Sequence, residues 1–131
     1  MRSMKLFRLA VLFLIVGGLF AGTPALAKTY TGELAPTAVE PTASGQAKLW
    51  LIYHAPRHFR SRLYVTCNGL TSGAPYYIVC QDANGGVYRW QFTASATGTG
   101  EAGGDMGPTL LPLPLSVLNA SNQIVLTGKI Q

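Results

Sequence analysis

Charged side chains are scarce in this chain, making up 11% of its 131 residues. It has two histidines and two cysteines, and five acidic residues against ten basic ones. So few ionisable groups leave little material for a catalytic or metal-binding cluster. No G-x-S-x-G turn is present to raise a nucleophilic serine. The cysteines, Cys67 and Cys80, are separated by twelve residues, which excludes the Cys-X-X-Cys spacing of redox pairs. Helical periodicity is also rare beyond residue 27, and no later apolar run approaches the roughly 20 residues that span a bilayer.

The remaining ionisable residues form no recognisable catalytic pattern. His54 and His58 stand four residues apart, a spacing that shares a face only on a helix, and they flank a loop-like stretch. His58 sits among Arg57 and Arg60 with no acidic neighbour in sequence. Glu33, Glu40 and Glu101 have no spacing that marks a carboxylate pair. The expectation is a protein that is not an enzyme and uses no cofactor or metal. The alternative is a small secreted hydrolase or metal-dependent enzyme.

The first 27 residues stand apart from the rest. Arg2, Lys5 and Arg8 precede an apolar run from Leu9 to Phe20, followed by Pro24 and Ala25-Leu26-Ala27. Small residues at the first and third places of that tripeptide suit signal peptidase, so residues 1–27 read as a signal helix cleaved after Ala27. The expected location is secreted or periplasmic. The mature chain, 28–131, is then a single domain with no transmembrane span. Cleavage removes three of the ten basic residues, leaving seven against five and a net charge of +2. That weak charge argues against nucleic acid as a partner.

Within the mature chain, short segments alternate with period two between Gly, Pro, Asn and Ser clusters. Strands are expected at 28–34, 46–54, 62–70, 76–81, 87–94, 110–118 and 123–130. The 46–54 segment is apolar on both faces, as in a central strand. Pro112 and Pro114 cannot donate to a ladder, which points 110–118 to an edge. The Gly-rich stretch 95–108 is either a flexible loop or a short irregular edge strand. About seven strands at this spacing suggest an all-β, small antiparallel β-sandwich with Greek-key-like connections, or a small barrel.

If 62–70 and 76–81 form a hairpin centred between Gly73 and Ala74, residues whose numbers sum to 147 face each other, and Cys67 then faces Cys80. Opposed Cβ atoms on a shared core face, in an oxidising compartment, favour a disulfide between Cys67 and Cys80. Closing that loop would stabilise the fold by roughly 3 kcal/mol in the chain-entropy account.

Several segments, "YTGELAPTAVEPTASGQAKLWL", "RLYVTCNGLTSGAPYYIV", "QFTASATGTGEAG" and "VLNASNQIVLTGKI", occur in an order that resembles the secreted CHRD-type domain and its looser bacterial relatives. The resemblance covers nearly all of the mature chain. It implies an all-β extracellular fold with no established enzymatic role. The family usually carries a histidine motif after the hairpin turn. Here "YYIVCQDANGG" has no histidine, and Cys80 occupies that region.

Two features could meet a partner. "PRHFRSR" concentrates Arg57, Arg60 and Arg62 around Phe59, a candidate patch for an anionic ligand such as an acidic polysaccharide or a cell-surface component. The aromatics Trp50, Tyr53, Tyr88, Trp90 and Phe92 belong either to the core or to a sheet face on which rings can stack. Asn119-Ala120-Ser121 matches a glycosylation sequon and also suits a turn. The overall expectation is a secreted non-enzymatic binding or structural module.

Overall fold

The computed structural model describes residues 26–54 and 58–131. These form eight antiparallel strands and no helix. In chain order they are β1 (Leu26–Pro36), β2 (Ser44–His54), β3 (His58–Asn68), β4 (Pro75–Gln81), β5 (Val87–Thr93), β6 (Gly100–Met106), β7 (Leu113–Asn119) and β8 (Ile124–Ile130). They belong to one sheet in the order β5-β4-β7-β8-β1-β2-β3-β6, which curls into a nearly closed barrel. The two separate sheets of a sandwich are not present. The eighth strand is β6, from the Gly-rich stretch, whose bare backbone lies along β3 from Ser61↔Met106 to Cys67↔Gly100. The proposed signal helix lies outside the described residues. Among the described residues, no helix is long and apolar enough to cross a membrane.

Period-two alternation decides what lies inside. Ala47 and Leu49 of β2, Leu63, Val65 and Cys67 of β3, Tyr76, Ile78 and Cys80 of β4, and Leu113, Leu115 and Val117 of β7 are all buried in the core. Each such aliphatic side chain contributes about 1.5–3 kcal/mol by leaving water. The 46–54 segment is central, with β1 on one side and β3 on the other.

The 110–118 segment is not an edge: β7 lies between β4 and β8. Its prolines are accommodated because Pro112 precedes the strand, and Pro114 stands one residue before the β4 ladder begins at Leu115. The true edges are β5 and β6. They approach one another without a hydrogen-bonded ladder, and aromatic side chains fill the seam. A Cβ on Gly100 would strike the ring of Phe92, and one on Gly104 would lie 2.8 Å from Trp90 Nε1.

The expected cysteine hairpin does not form. β3 pairs with β2 and β6, whereas β4 pairs with β5 and β7. The connection between β3 and β4 crosses to the other half of the barrel instead of reversing. Leu70 N donates to Gly98 O at 3.0 Å, and Gly73 N donates to Ala94 O at 2.9 Å. Cys67 and Cys80 are consequently both free thiols, correcting the expected disulfide. Cys67 lies opposite Gly100 at one end of β6, while Cys80 Sγ is 3.8 Å from Met106 Sδ at the other. Six residues of strand, about 20 Å, separate those two levels.

Burial pushes the Cys67 thiol up to about 12 from its ordinary 9.0. Burial, and then the Asp82 carboxylate, do the same for Cys80, also to about 12. Because the folded values are raised, their stabilising contribution is complete below pH 9 and is lost as pH climbs towards 12. Unreduced protein is expected to react with two equivalents of Ellman's reagent when unfolded, and slowly with either thiol when native. Fewer than two equivalents would restore the disulfide. The Cys67→Ala/Cys80→Ala variant should also show a smaller fall in stability between pH 9 and 12.

Candidate binding surface

The residues left outside the barrel on β2, β3 and β6 form a continuous face. Strand register sets its rows: Trp50, Arg62 and Asp105 lie side by side, then Lys48, Tyr64 and Gly103, then Gln46, Thr66 and Glu101. These outward positions follow from the inward Ala47, Leu49, Leu63 and Val65 between them. Trp50 and Tyr64 are half-buried, with ring centroids 6.5 Å apart and planes tilted by 48°.

Beside the two rings runs an open groove of about 420 Å³ over the bare backbone of Gly103 and Gly104, with Arg62 also on its wall. A smaller depression of about 110 Å³ lies on the other side of Tyr64, between Gln46, Lys48 and Thr66. Tyr64 thus stands as a ridge between two adjoining hollows.

Carboxylates organise the polar groups around the rings. Asp105 accepts from Arg62 Nε at 3.1 Å and from Arg60 Nη2 at 3.4 Å. The Arg60 and Arg62 side chains are 62% and 61% exposed, so these pairs add little to stability. Their effect is to place a negative charge against two positive ones. The Tyr64 hydroxyl donates to Glu101, which is the main cause holding its pKa above the ordinary 10.0.

This geometry changes the reading of the arginine patch. β3 begins before the expected strand 62–70, so Arg60 joins Arg62 on it, two residues apart on its outward face. Arg57 lies outside the described residues, as do the side chains of Tyr53, His54, His58 and Phe59. The backbones of His54 and His58 pair at the turn end of the β2–β3 hairpin. The expected arginine cluster is therefore, for Arg60 and Arg62, a mixed-charge array with Asp105 at its centre. Among the described residues, no group of three or more His, Cys, Asp and Glu converges as a metal site would require.

The other aromatics divide between core and surface. Phe92 is buried and stacks on Tyr76, with centroids 5.7 Å apart, and Tyr88 stacks on Trp90 at 5.6 Å beside the seam. Tyr77 is half-buried, with the Arg89 guanidinium 4.1 Å above its ring. Asn119 is committed to its turn: its Oδ1 accepts from Ser121 N and Gln123 N, and its Nδ2 donates to Gln123 Oε1.

Tyr64 and Asp105 were not singled out from the sequence. A signal was available for Tyr64. A β2–β3 hairpin closing at His54 and His58 pairs residues whose numbers sum to 112, which puts Tyr64 opposite Lys48 and Arg62 opposite Trp50. No comparable signal marked Asp105, because β6 is too Gly-rich to show alternation. Comparison of the chain with protein-family models, with curated proteins and with solved structures returns no match.

Proposed function

We propose that the protein is a secreted or periplasmic, non-enzymatic binding module that holds a saccharide on the outer face of β2, β3 and β6. The observation that carries this reading is the Trp50–Tyr64 pair at the edge of a groove floored by Gly103 and Gly104. Apolar ring faces stack on aromatic side chains, while nearby planar polar groups fix orientation. The leader-like residues 1–27 support export, and the resemblance to CHRD-type domains agrees with an extracellular β module. Cleavage after Ala27 would remove only the first two residues of β1, leaving the strand from Lys28 to Pro36.

A binding role fits this face better than hydrolysis. Glu101 and Asp105 are the two carboxylates of β6, and four residues of strand set their Cα atoms about 13 Å apart. Paired glycosidase carboxyls act across roughly 5–9.5 Å. Both groups are also engaged, one by the Tyr64 hydroxyl and the other by two guanidiniums.

The test is affinity electrophoresis of the mature chain, 28–131, through gels carrying soluble polysaccharides. Wild type should be retarded by at least one of them, and Trp50→Ala should lose about tenfold in affinity, equivalent to 1.4 kcal/mol. Tyr64→Ala should act in the same direction. Retardation unchanged in both variants, or no retardation by any polysaccharide, would overturn the reading.

A further inference from the structure

The acidic polysaccharide suggested by the arginines in sequence is at odds with what surrounds Arg60 and Arg62 on the sheet. We infer that the outer face selects an uncharged saccharide, and that Asp105 is the residue that turns anionic ones away. This rests on the saccharide-binding reading and sharpens it.

On the face that carries the Trp50–Tyr64 groove, Arg60 and Arg62 pair with Asp105, Glu101 accepts from Tyr64, and Lys48 lies across from Tyr64. The two carboxylates are on β6, whose Gly103–Gly104 backbone forms the floor between them. Asp105 is 49% exposed and pairs with Arg62, which is on the groove wall, so its carboxylate is open to solvent beside that wall. A uronate in the groove that reached for the fork of Arg62 would come up against the Asp105 carboxylate, because Nε of Arg62 is already given to Asp105 Oδ1. Displacing that contact would leave two carboxylates competing for one fork.

Hydroxyl groups avoid this conflict. Each sugar hydroxyl is both donor and acceptor. It can donate to Asp105 or Glu101 and accept from the remaining Arg62 hydrogens or from Lys48, without breaking the Arg62–Asp105 pair. Donors and acceptors alternate across the face, with Gln46 and Thr66 continuing the pattern beyond Tyr64. The groove is open, so a ligand longer than one ring can lie along it.

The experiment is calorimetric titration of the mature chain with two sets of probes. One set is neutral hexasaccharides of glucose, mannose, galactose or xylose; the other is hexamers of galacturonate or mannuronate. Wild type should bind a neutral probe at least tenfold more tightly than any uronate, a difference set by one misplaced charge. Raising salt from 50 to 500 mM should change the neutral affinity less than about twofold, since no ion pair forms with the ligand. Asp105→Asn frees Arg60 and Arg62 and should raise uronate affinity at least fivefold while weakening the neutral probe. Its melting temperature should stay near that of wild type, because the pairs it removes are exposed.

A wild type that prefers uronates, with that binding lost in Trp50→Ala, would overturn the selectivity and leave the saccharide-binding reading intact. Uronate affinity unchanged in Asp105→Asn would equally overturn the role of Asp105. Binding of neither set would remove both readings.

Discussion

Replacing Gly98 with valine is expected to destabilise the domain by more than about 3 kcal/mol, the sum of a steric clash and a disallowed backbone. Gly98 has φ +77°, a conformation that costs an L-residue about 1–2 kcal/mol and a β-branched one more. Even its first added atom would sit 2.5 Å from Leu70 O and 3.3 Å from Leu70 N. Those are backbone atoms of the segment that carries the chain from β3 across to β4. The same glycine accepts the Leu70 N–H at 3.0 Å, so pushing the two segments apart also breaks the contact that fixes the crossing.

Gly73→Ala provides the control, because Gly73 has φ +75° but nothing within 4 Å of an added Cβ. It should cost only the backbone term, about 1 kcal/mol. Urea denaturation of the two variants separates clash from strain. Equal losses would mean that the crossing at Gly98 is looser than the geometry indicates.

The second large effect is expected at Tyr76, where truncation to alanine should cost about 3–5 kcal/mol. The side chain is 1% exposed and stacks on Phe92, yet its hydroxyl reaches the end of the barrel. There it donates to Glu40, 2.8 Å from Oε1 and 2.9 Å from Oε2, and accepts from Thr71 N at 2.9 Å. Glu40 Oε1 also accepts from Thr71 N and Thr71 Oγ1. One carboxylate therefore ties the β1–β2 loop to the β3–β4 connection.

Tyr76→Phe keeps the stack and removes the hydroxyl, and should cost about 1–2 kcal/mol. If Tyr76→Phe and Glu40→Gln act on one network, the double variant will lose less than the two single losses added together. Full additivity would show that loop and connection are held independently. Burial, the largest cause, raises the Tyr76 pKa above 10.0, so its contribution is complete below pH 10 and declines above it.

The strands were largely legible in the sequence, because alternation survives wherever a strand has one wet face. Leu63, Val65 and Cys67 could be placed on a core face without knowing what lay across from them. Their partners could not be placed. The 147 sum that aligned Cys67 with Cys80 reflects only equal distance from a turn, and the 69–74 connection proved to be a crossing. The Gly-rich stretch 95–108 stays open in the sequence between a loop and an irregular edge strand for a related reason, and it supplies the edge strand β6. Gly100, Gly103 and Gly104 give no hydrophobic pattern, and their role emerges only when Phe92 and Trp90 arrive from β5.

The candidate face was half-legible. Alternation puts Lys48 and Trp50 on one face of β2, but that strand is apolar on both sides, so its outer side could not be recognised. Arg60 and Arg62 were seen as charge, whereas their meaning depends on Asp105, which lies more than forty residues away in the chain.

The seam between β5 and β6 gives this barrel an uneven resistance to opening. Elsewhere, parting two strands means breaking a row of backbone hydrogen bonds together. At the seam no such row joins β5 to β6 among the described residues; Phe92 and Trp90 pack beside Gly100 and Gly104, and Gly107 N donates to the Tyr88 hydroxyl at 2.8 Å. Thermal fluctuations will therefore enter the molecule along this line first, with amide protons of β5 and β6 exchanging ahead of those of β1, β2 and β8. Since β6 also carries Asp105, Glu101 and the glycine floor of the groove, the least secured strand of the barrel is the one a bound ligand would hold in place.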